Sequence, residues 1–211
     1  MEDVLDVYKR PYNKSFPVVC MDESSKQLTK EIRKKIAVSP GKAERYDAEY
    51  ERNGTCNIFL HVEPLKGKRK LKITDQRKKS DWAHFIKELV DEDYPDAKKI
   101  ILIADNLNTH TGSSLYETFS PIEAKRIFDK LEIHYTPKHG SWLNIAEIEF
   151  SHLSRQCLNQ RIPDKKTFIQ ETSAWNKKRN EENATIDWQF TTTDARIKLK
   201  KLYPVILEGQ N

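Results

Sequence analysis

Lys99-Ile100-Ile101-Leu102-Ile103-Ala104-Asp105 is the stretch that decides how this chain folds. Its apolar run is short, unbroken and free of polar alternation, which predicts a strand covered on both faces and therefore central in its sheet. The run stops on an acid, Asp105. A second apolar run, Pro17-Val18-Val19-Cys20-Met21, stops the same way, on Asp22. In open α/β sheets the crevice beyond the strand ends is where ligands bind.

Toward the N-terminus of the central strand, Trp82, Phe85, Ile86, Leu89 and Val90 recur at helical spacing. Ser80 or Asp81 is the expected N-cap of that helix and Tyr94-Pro95 its end. Before it, Thr55–Glu63 reads as a strand stopped by Pro64, Leu65-Lys66-Gly67-Lys68 as a turn, and Arg69–Thr74 as a half-exposed partner strand. Strand one is Val18–Met21. From Lys26 to Arg52 the chain is charged and poorly periodic, with a turn at Ser39-Pro40-Gly41, a weak strand around Ile36–Val38 and a long loop.

Beyond the central strand, helices are expected near Ser114–Phe119 and from Pro121 to Lys130, with Pro121 in a first turn that tolerates it. Leu131–Tyr135 is a further strand and Thr136–Leu143 a loop. Helices follow over Ile145–Asn159, Asp164–Lys178 and Thr193–Leu202, the last closed by Tyr203-Pro204. Residues 1–16 read as an irregular arm, 17–180 as the main domain and 181–211 as a helical extension. Antiparallel strands, then helix, strand, helices, strand and helices describe an α/β fold. It is a mixed sheet flanked by helices, as in the ribonuclease H-like fold.

The 211 residues suffice for one sizeable core. No stretch approaches the roughly 20 apolar residues of a membrane span, and the N-terminus lacks the basic lead and apolar segment of a signal peptide. Cys20, Cys56 and Cys157 are scattered without paired spacing, which fits a reducing cytoplasm. The net charge of +5 is unevenly spread. Lys66, Lys68, Arg69, Lys70, Lys72, Arg77, Lys78 and Lys79 face one acid, Asp75, within a short run, and Arg196, Lys198, Lys200 and Lys201 form a second cluster. Such runs are usually solvated faces; a phosphate-chemistry site nearby turns them into a candidate nucleic-acid surface.

That site begins with the two strand-end aspartates, whose hard oxygens suit Mg²⁺. Each alone reads as well as a turn residue. A third acid opens the helix after Ser141-Trp142-Leu143-Asn144, where Glu147 also fits a capping box with Asn144 as N-cap. Helical geometry does not choose between Glu147 and Glu149, which flank the apolar seam Ala146, Phe150, Leu153 and Cys157 on opposite sides. His134, His139, His152 and Cys157 match no compact zinc spacing. Neither a Walker-type phosphate loop nor a Gly-x-Ser-x-Gly elbow is present.

The chain resembles the catalytic domain of DDE transposases of the mariner superfamily, in the bacterial insertion-sequence branch. The resemblance lies in Val18-Val19-Cys20-Met21-Asp22-Glu23, Tyr50-Glu51-Arg52-Asn53-Gly54-Thr55, Asp105-Asn106-Leu107-Asn108-Thr109-His110 and Tyr135-Thr136-Pro137-Lys138-His139-Gly140-Ser141-Trp142-Leu143-Asn144-Ile145-Ala146-Glu147. It continues in Asp187-Trp188-Gln189-Phe190-Thr191 and Asp194-Ala195-Arg196-Ile197-Lys198-Leu199. The resemblance implies a ribonuclease H-like fold with Asp22, Asp105 and Glu147 as the acidic triad. It selects Glu147 over Glu149 because the family's third acid follows a Leu-Asn pair by three residues.

Two Mg²⁺ ions, with Mn²⁺ as substitute, would then serve cleavage at transposon ends and strand transfer into a TA target. Asn106, His110, Lys138 and His139 would orient DNA or support the triad, and the two basic clusters would hold phosphates of double-stranded DNA. A homodimer bringing two terminal inverted repeats together is implied, in a nucleoid-associated bacterial protein. Family members carry an N-terminal helix-turn-helix region, whereas this chain begins almost at the catalytic domain. Three origins are open, namely the second product of a split reading frame, a truncated copy or an excised domain, and in the first of these a separate helix-turn-helix polypeptide would supply end recognition. The competing expectations are a ribonuclease H-like nuclease that cuts without joining, and a DNA-binding or assembly remnant.

Overall fold

The computed structural model describes residues 1–33, 37–43 and 48–203. Its centre is a five-stranded sheet in the order β3-β2-β1-β4-β5. β1 (Val18–Glu31), β2 (Tyr50–Glu63) and β3 (Lys68–Thr74) form an antiparallel meander, while β4 (Ile100–Ala104) and β5 (Leu131–Tyr135) run parallel to β1. This is the mixed ribonuclease H-like sheet. β4 is buried along its whole length, as an unbroken apolar run requires.

Side-chain alternation along the strands separates two cores. On one face Cys20, Ile58, Leu60, Val62, Ile101 and Ile103 pack with α1 (Glu2–Tyr8), α5 (Ile145–Gln156) and α6 (Lys165–Glu181). On the other, Val19, Met21, Phe59, Ile100, Leu102 and Ala104 pack against α2 (Lys79–Glu88), α3 (Gly112–Thr118) and α4 (Pro121–Asp129). A π-helical turn, Leu89–Asp93, continues α2. α7 (Thr192–Lys198) carries Ala195 into the first core beside α1.

Four features differ from the sequence expectation. β1 does not end at Asp22 but runs on to Glu31, because β2 offers a partner from Tyr50 onward for its polar second half. Residues 1–16 are not simply an arm: α1 buries Val4, Leu5 and Val7. The N-cap of α2 is Lys78, with Asp81 as its third residue closing a capping box. Of the weak strand expected around Ile36–Val38, Ile36 lies outside the described residues, and only an isolated bridge, Ser39 to Lys42, forms nearby. Pro204 and the rest of the C-terminal extension also lie outside the described residues.

Candidate active site

The geometry of the acids follows from where β1 loses one of its neighbours. Its parallel pairing with β4 covers Val18–Cys20 against Ile101–Ile103, while its antiparallel pairing with β2 continues past Asp22. Carrying the parallel register two places further sets Asp22 level with Asp105, the residue just after β4. Both acids thus stand where the sheet opens. Asp22 shares the face of Cys20 and Leu60, and so looks toward the α5 layer.

Glu147 reaches that opening because α5 is tied to β1. Asn144 caps the helix by accepting from the Ala146 amide, and its Nδ2 donates to the Met21 carbonyl at 2.8 Å. The Tyr8 hydroxyl of α1 donates to the Leu143 carbonyl at 2.7 Å, pinning the approach to the helix. Upstream, the Thr136 amide donates to the Ala104 carbonyl, so the 136–143 loop starts from the end of β4. The loop then folds tightly: a Cβ on Gly140 would stand 2.6 Å from the Pro137 ring, and His139 has a φ of 63°.

The two glutamates of α5 part company. Glu149 is fully buried and ion-paired with Arg69 and Arg179, at 3.1 Å in each case. Glu147 is exposed, and its carboxylate has no bonded partner among the described residues. The expected capping box with Glu147 does not form, since Asn144 caps through its own side chain to the second helical amide.

Burial raises the Asp22 carboxyl from an ordinary 3.8 to about 7. The Glu23 amide, donating to Oδ1 at 2.8 Å, opposes that shift, while the like charges of Asp105, Glu147 and Glu23 add to it. Asp22 therefore senses both other acids. Asp105 turns one oxygen, Oδ1, to 2.5 Å from His110 Nδ1. His110 is completely buried, and its Nε2 lies 2.6 Å from Glu23 Oε2. Burial opposes a charge on this imidazole, but Asp105 and Glu23 outweigh it and raise its pKa to about 10.

Among the described residues no three His, Cys, Asp or Glu side chains stand close enough to grip one ion as they are. Like charges repel, and His110 holds one oxygen of Asp105 aside. The donor set nonetheless fits a hard cation. It offers carboxylate oxygens, of which both on Glu147, Asp22 Oδ2 and Asp105 Oδ2 have no protein partner among the described residues. Mg²⁺ asks for one or two carboxylates and fills its remaining positions with water and phosphate oxygens.

The other candidate residues divide. Asn106 follows Asp105 on its loop, Lys138 and His139 lie on the loop that leads into α5, and all three are exposed, whereas His110 is interior. Sequence reasoning passed over Glu23, Asn144 and Tyr8 as site residues. The signal available for Glu23 was its place beside Asp22 in a strand, which points it to the opposite face.

The basic run is not one surface. Arg69 is a core residue and drops out of the candidate DNA face: its guanidinium donates to the Arg179 and Ala184 carbonyls and pairs with Glu149. Lys70 faces Asp93, Glu88 and Glu92, Lys72 pairs with Glu88, and Lys79 with Glu117. Lys66 and Lys68 sit at the β2–β3 turn, which the register places at the end of the sheet away from Asp22 and Asp105. Arg77 and Lys78 follow β3 at the same end as the acids, and both are exposed. In the C-terminal cluster Arg196 pairs with Glu2 and Lys198 with Asp194, while Lys200 and Lys201 are exposed.

A family model described as DDE superfamily endonuclease matches residues 17–169. No curated protein compared with the chain matches it. Among solved structures, the Mos1 mariner paired end complex with Mn is similar at 17% identity, over 87% of this chain and 54% of that one, with a TM-score of 0.58. The Mos1 transposase paired-end complex with left transposon end is similar at 15% identity, over 87% of this chain and 58% of that one, with a TM-score of 0.58. The Mos1 strand transfer complex gives 15% identity, the same two coverages of 87% and 58%, and a TM-score of 0.56. At such identities the likeness is one of fold, and the chain spans little more than half the length of each of these proteins.

Proposed function

The chain belongs to the DDE superfamily endonucleases, and we propose that it is the catalytic part of a transposase, cutting DNA at transposon ends and joining the freed 3′ ends to target DNA. Asp22, Asp105 and Glu147 are the catalytic acids in this reading. The observation that carries it is the state of Asp22: a buried carboxylate whose pKa is raised by burial and then by the charges of Asp105 and Glu147. Such crowding of acids at a sheet opening costs stability unless a cation is to be held there.

The three carboxylates would hold a divalent cation, Mg²⁺ or Mn²⁺, and a pair of ions during turnover. When bound, such a cation supplies Lewis acidity, lowering the pKa of an attacking hydroxyl and neutralising charge on the leaving oxygen. Asp22 and Asp105, held by adjacent strands, give the rigid part of the site. Glu147, exposed on the first turn of α5, supplies an unengaged carboxylate from the other side. Asn106, Lys138 and His139 lie on the flanking loops, where they would orient the DNA strand. Arg77 and Lys78, with Lys200 and Lys201, would meet phosphates and set the duplex in register without reading bases.

Double-stranded DNA as partner is supported by the family and by the Mos1 structures, which are complexes with transposon ends. Pairing of two copies on two ends and a TA target complete the proposal. A nicking assay on supercoiled plasmid tests the first step. The wild-type chain should cut with Mg²⁺ or Mn²⁺. Asp105→Asn should lose several kcal/mol of transition-state stabilisation, at least about 10²-fold in rate, while its circular dichroism is unchanged. Full activity in Asp105→Asn defeats the assignment. With a 3′-hydroxyl donor end supplied, nicking without joined product reduces the chain to a nuclease.

A further inference from the structure

β1 presents neighbouring acids to opposite faces of the sheet. Asp22 looks toward α5, whereas Glu23, paired in register with Phe59, looks into the core under α2 and α3. A carboxylate in that apolar layer is unfavourable without a partner. Its partner is His110, itself fully buried, with Nε2 at 2.6 Å from Glu23 Oε2. The imidazole is fixed from every side. Trp82 stacks on the ring at 5.8 Å, and the His110 backbone is held too, its carbonyl accepting from the Tyr135 hydroxyl at 2.6 Å and its amide donating to the Leu107 carbonyl at 3.0 Å. Its second nitrogen, Nδ1, stands between the carbonyl of Asp105 at 3.2 Å and the carboxylate of Asp105 at 2.5 Å.

We infer that Glu23 and His110 are positioning residues: together they fix the orientation of the Asp105 carboxylate from behind, and Glu23 acts through the imidazole. This rests on the reading of Asp105 as a catalytic acid. The physical need is local. Backbone pairing between β1 and β4 stops at Cys20 and Ile103, before either acid is reached, so beyond that point hydrogen bonds of the ladder no longer set their separation. The Glu23–His110–Asp105 chain spans the same two strands just past the last rung. By engaging Oδ1 it leaves Oδ2 of Asp105 for a cation. Partners that orient a ligating group are worth about 10–100-fold in metal affinity or activity.

Three variants separate this from a merely structural role. Glu23→Gln is isosteric and keeps an acceptor for Nε2 while removing the charge. His110→Asn keeps a donor near Nδ1 but cannot reach Glu23. His110→Gln reaches Glu23 but gives up Asp105. Mn²⁺ binding to the full chain by calorimetry and the metal dependence of nicking are read for each.

Glu23→Gln and His110→Gln should weaken Mn²⁺ binding and raise the half-saturating metal concentration by about 10–100-fold, and the double variant should lose no more than the worse single one. His110→Asn should fall between them and wild type. Should Glu23→Gln fail to fold, His110→Gln, which leaves Glu23 its partner, reads the same dependence. Unchanged metal dependence in folded variants, or losses that simply add, overturn the inference. If Asp105→Asn abolishes nicking while Glu23→Gln behaves as wild type, only the positioning role fails. If wild type itself neither nicks nor binds Mn²⁺, the catalytic reading fails with it.

Discussion

At the scale of single residues, Asp22 carries a cost set by its burial and by the neighbouring acids, which a bound cation would relieve. Its folded pKa of about 7 lies above the ordinary 3.8, so the folded chain keeps a proton that the unfolded chain releases between those values. The resulting stability is fully present below about pH 4 and is lost as the pH rises through 7. Thermal unfolding in chelator should therefore show a melting temperature that falls across this window. Asp22→Asn should flatten the fall. At pH 8 it should melt higher than wild type by on the order of 2–4 °C for each kcal/mol recovered, while losing cleavage. The same proton competes with a divalent cation, so Mn²⁺ affinity should weaken below about pH 7. A pH-independent difference between wild type and Asp22→Asn would contradict the assigned shift.

At the scale of elements, α5 places two glutamates on different errands. Glu149 belongs to a buried ion triad that binds α5 to β3 and α6 through Arg69 and Arg179. Breaking such a pair strands a buried charge and costs about 3–5 kcal/mol. Glu149→Gln should thus lower the melting temperature by at least about 6 °C, with the nicking rate of the folded fraction largely kept. Glu147→Gln should do the reverse, leaving unfolding almost untouched and abolishing nicking. Calorimetric unfolding together with the plasmid assay decides the pair, and swapped phenotypes would mean that the wrong acid has been assigned.

β1 and α1 show how elements escape a one-dimensional reading. Asp22-Glu23-Ser24-Ser25-Lys26 has little strand propensity and became strand because β2 lies alongside. α1 is a 7-residue segment whose burial depends on a groove made by residues far along the chain. By contrast, the continuous apolar run of β4 and the Pro121 start of α4 were legible outright, since hydrophobic runs and first-turn prolines are local properties.

Across the whole molecule, a basic run that looks like one patch in the sequence is divided by the sheet. Lys70 and Lys72 meet Glu88, Glu92 and Asp93 of the helical layer, Arg69 is buried, and Arg77 and Lys78 remain exposed at the end that carries the acids. If this end meets DNA, Arg77→Ala with Lys78→Ala should reduce the salt slope of binding by roughly 0.9 for each phosphate no longer neutralised. Lys66→Ala with Lys68→Ala should change it less. Gel-shift titrations at several salt concentrations measure both, and equal slopes for the two pairs would remove the acid-bearing end as the interface. No helix among the described residues is long and apolar enough to cross a membrane.

The order of amino acids was enough to set the class of fold and to mark β4 as a buried inner strand followed by Asp105, because hydrophobic period is written in neighbouring residues, whereas the placing of Asp22 inside a longer β1 was not legible there. It left Glu147 and Glu149 equivalent by helical geometry, since both flank the same seam. The resemblance chose Glu147, and the folded chain gives the two glutamates different surroundings by bringing Arg69 and Arg179 to Glu149 and the opening beside Asp22 to Glu147. Folding likewise joined Glu23 to His110 across 87 positions of sequence. Charge partners are chosen by proximity in space, and no local pattern records them.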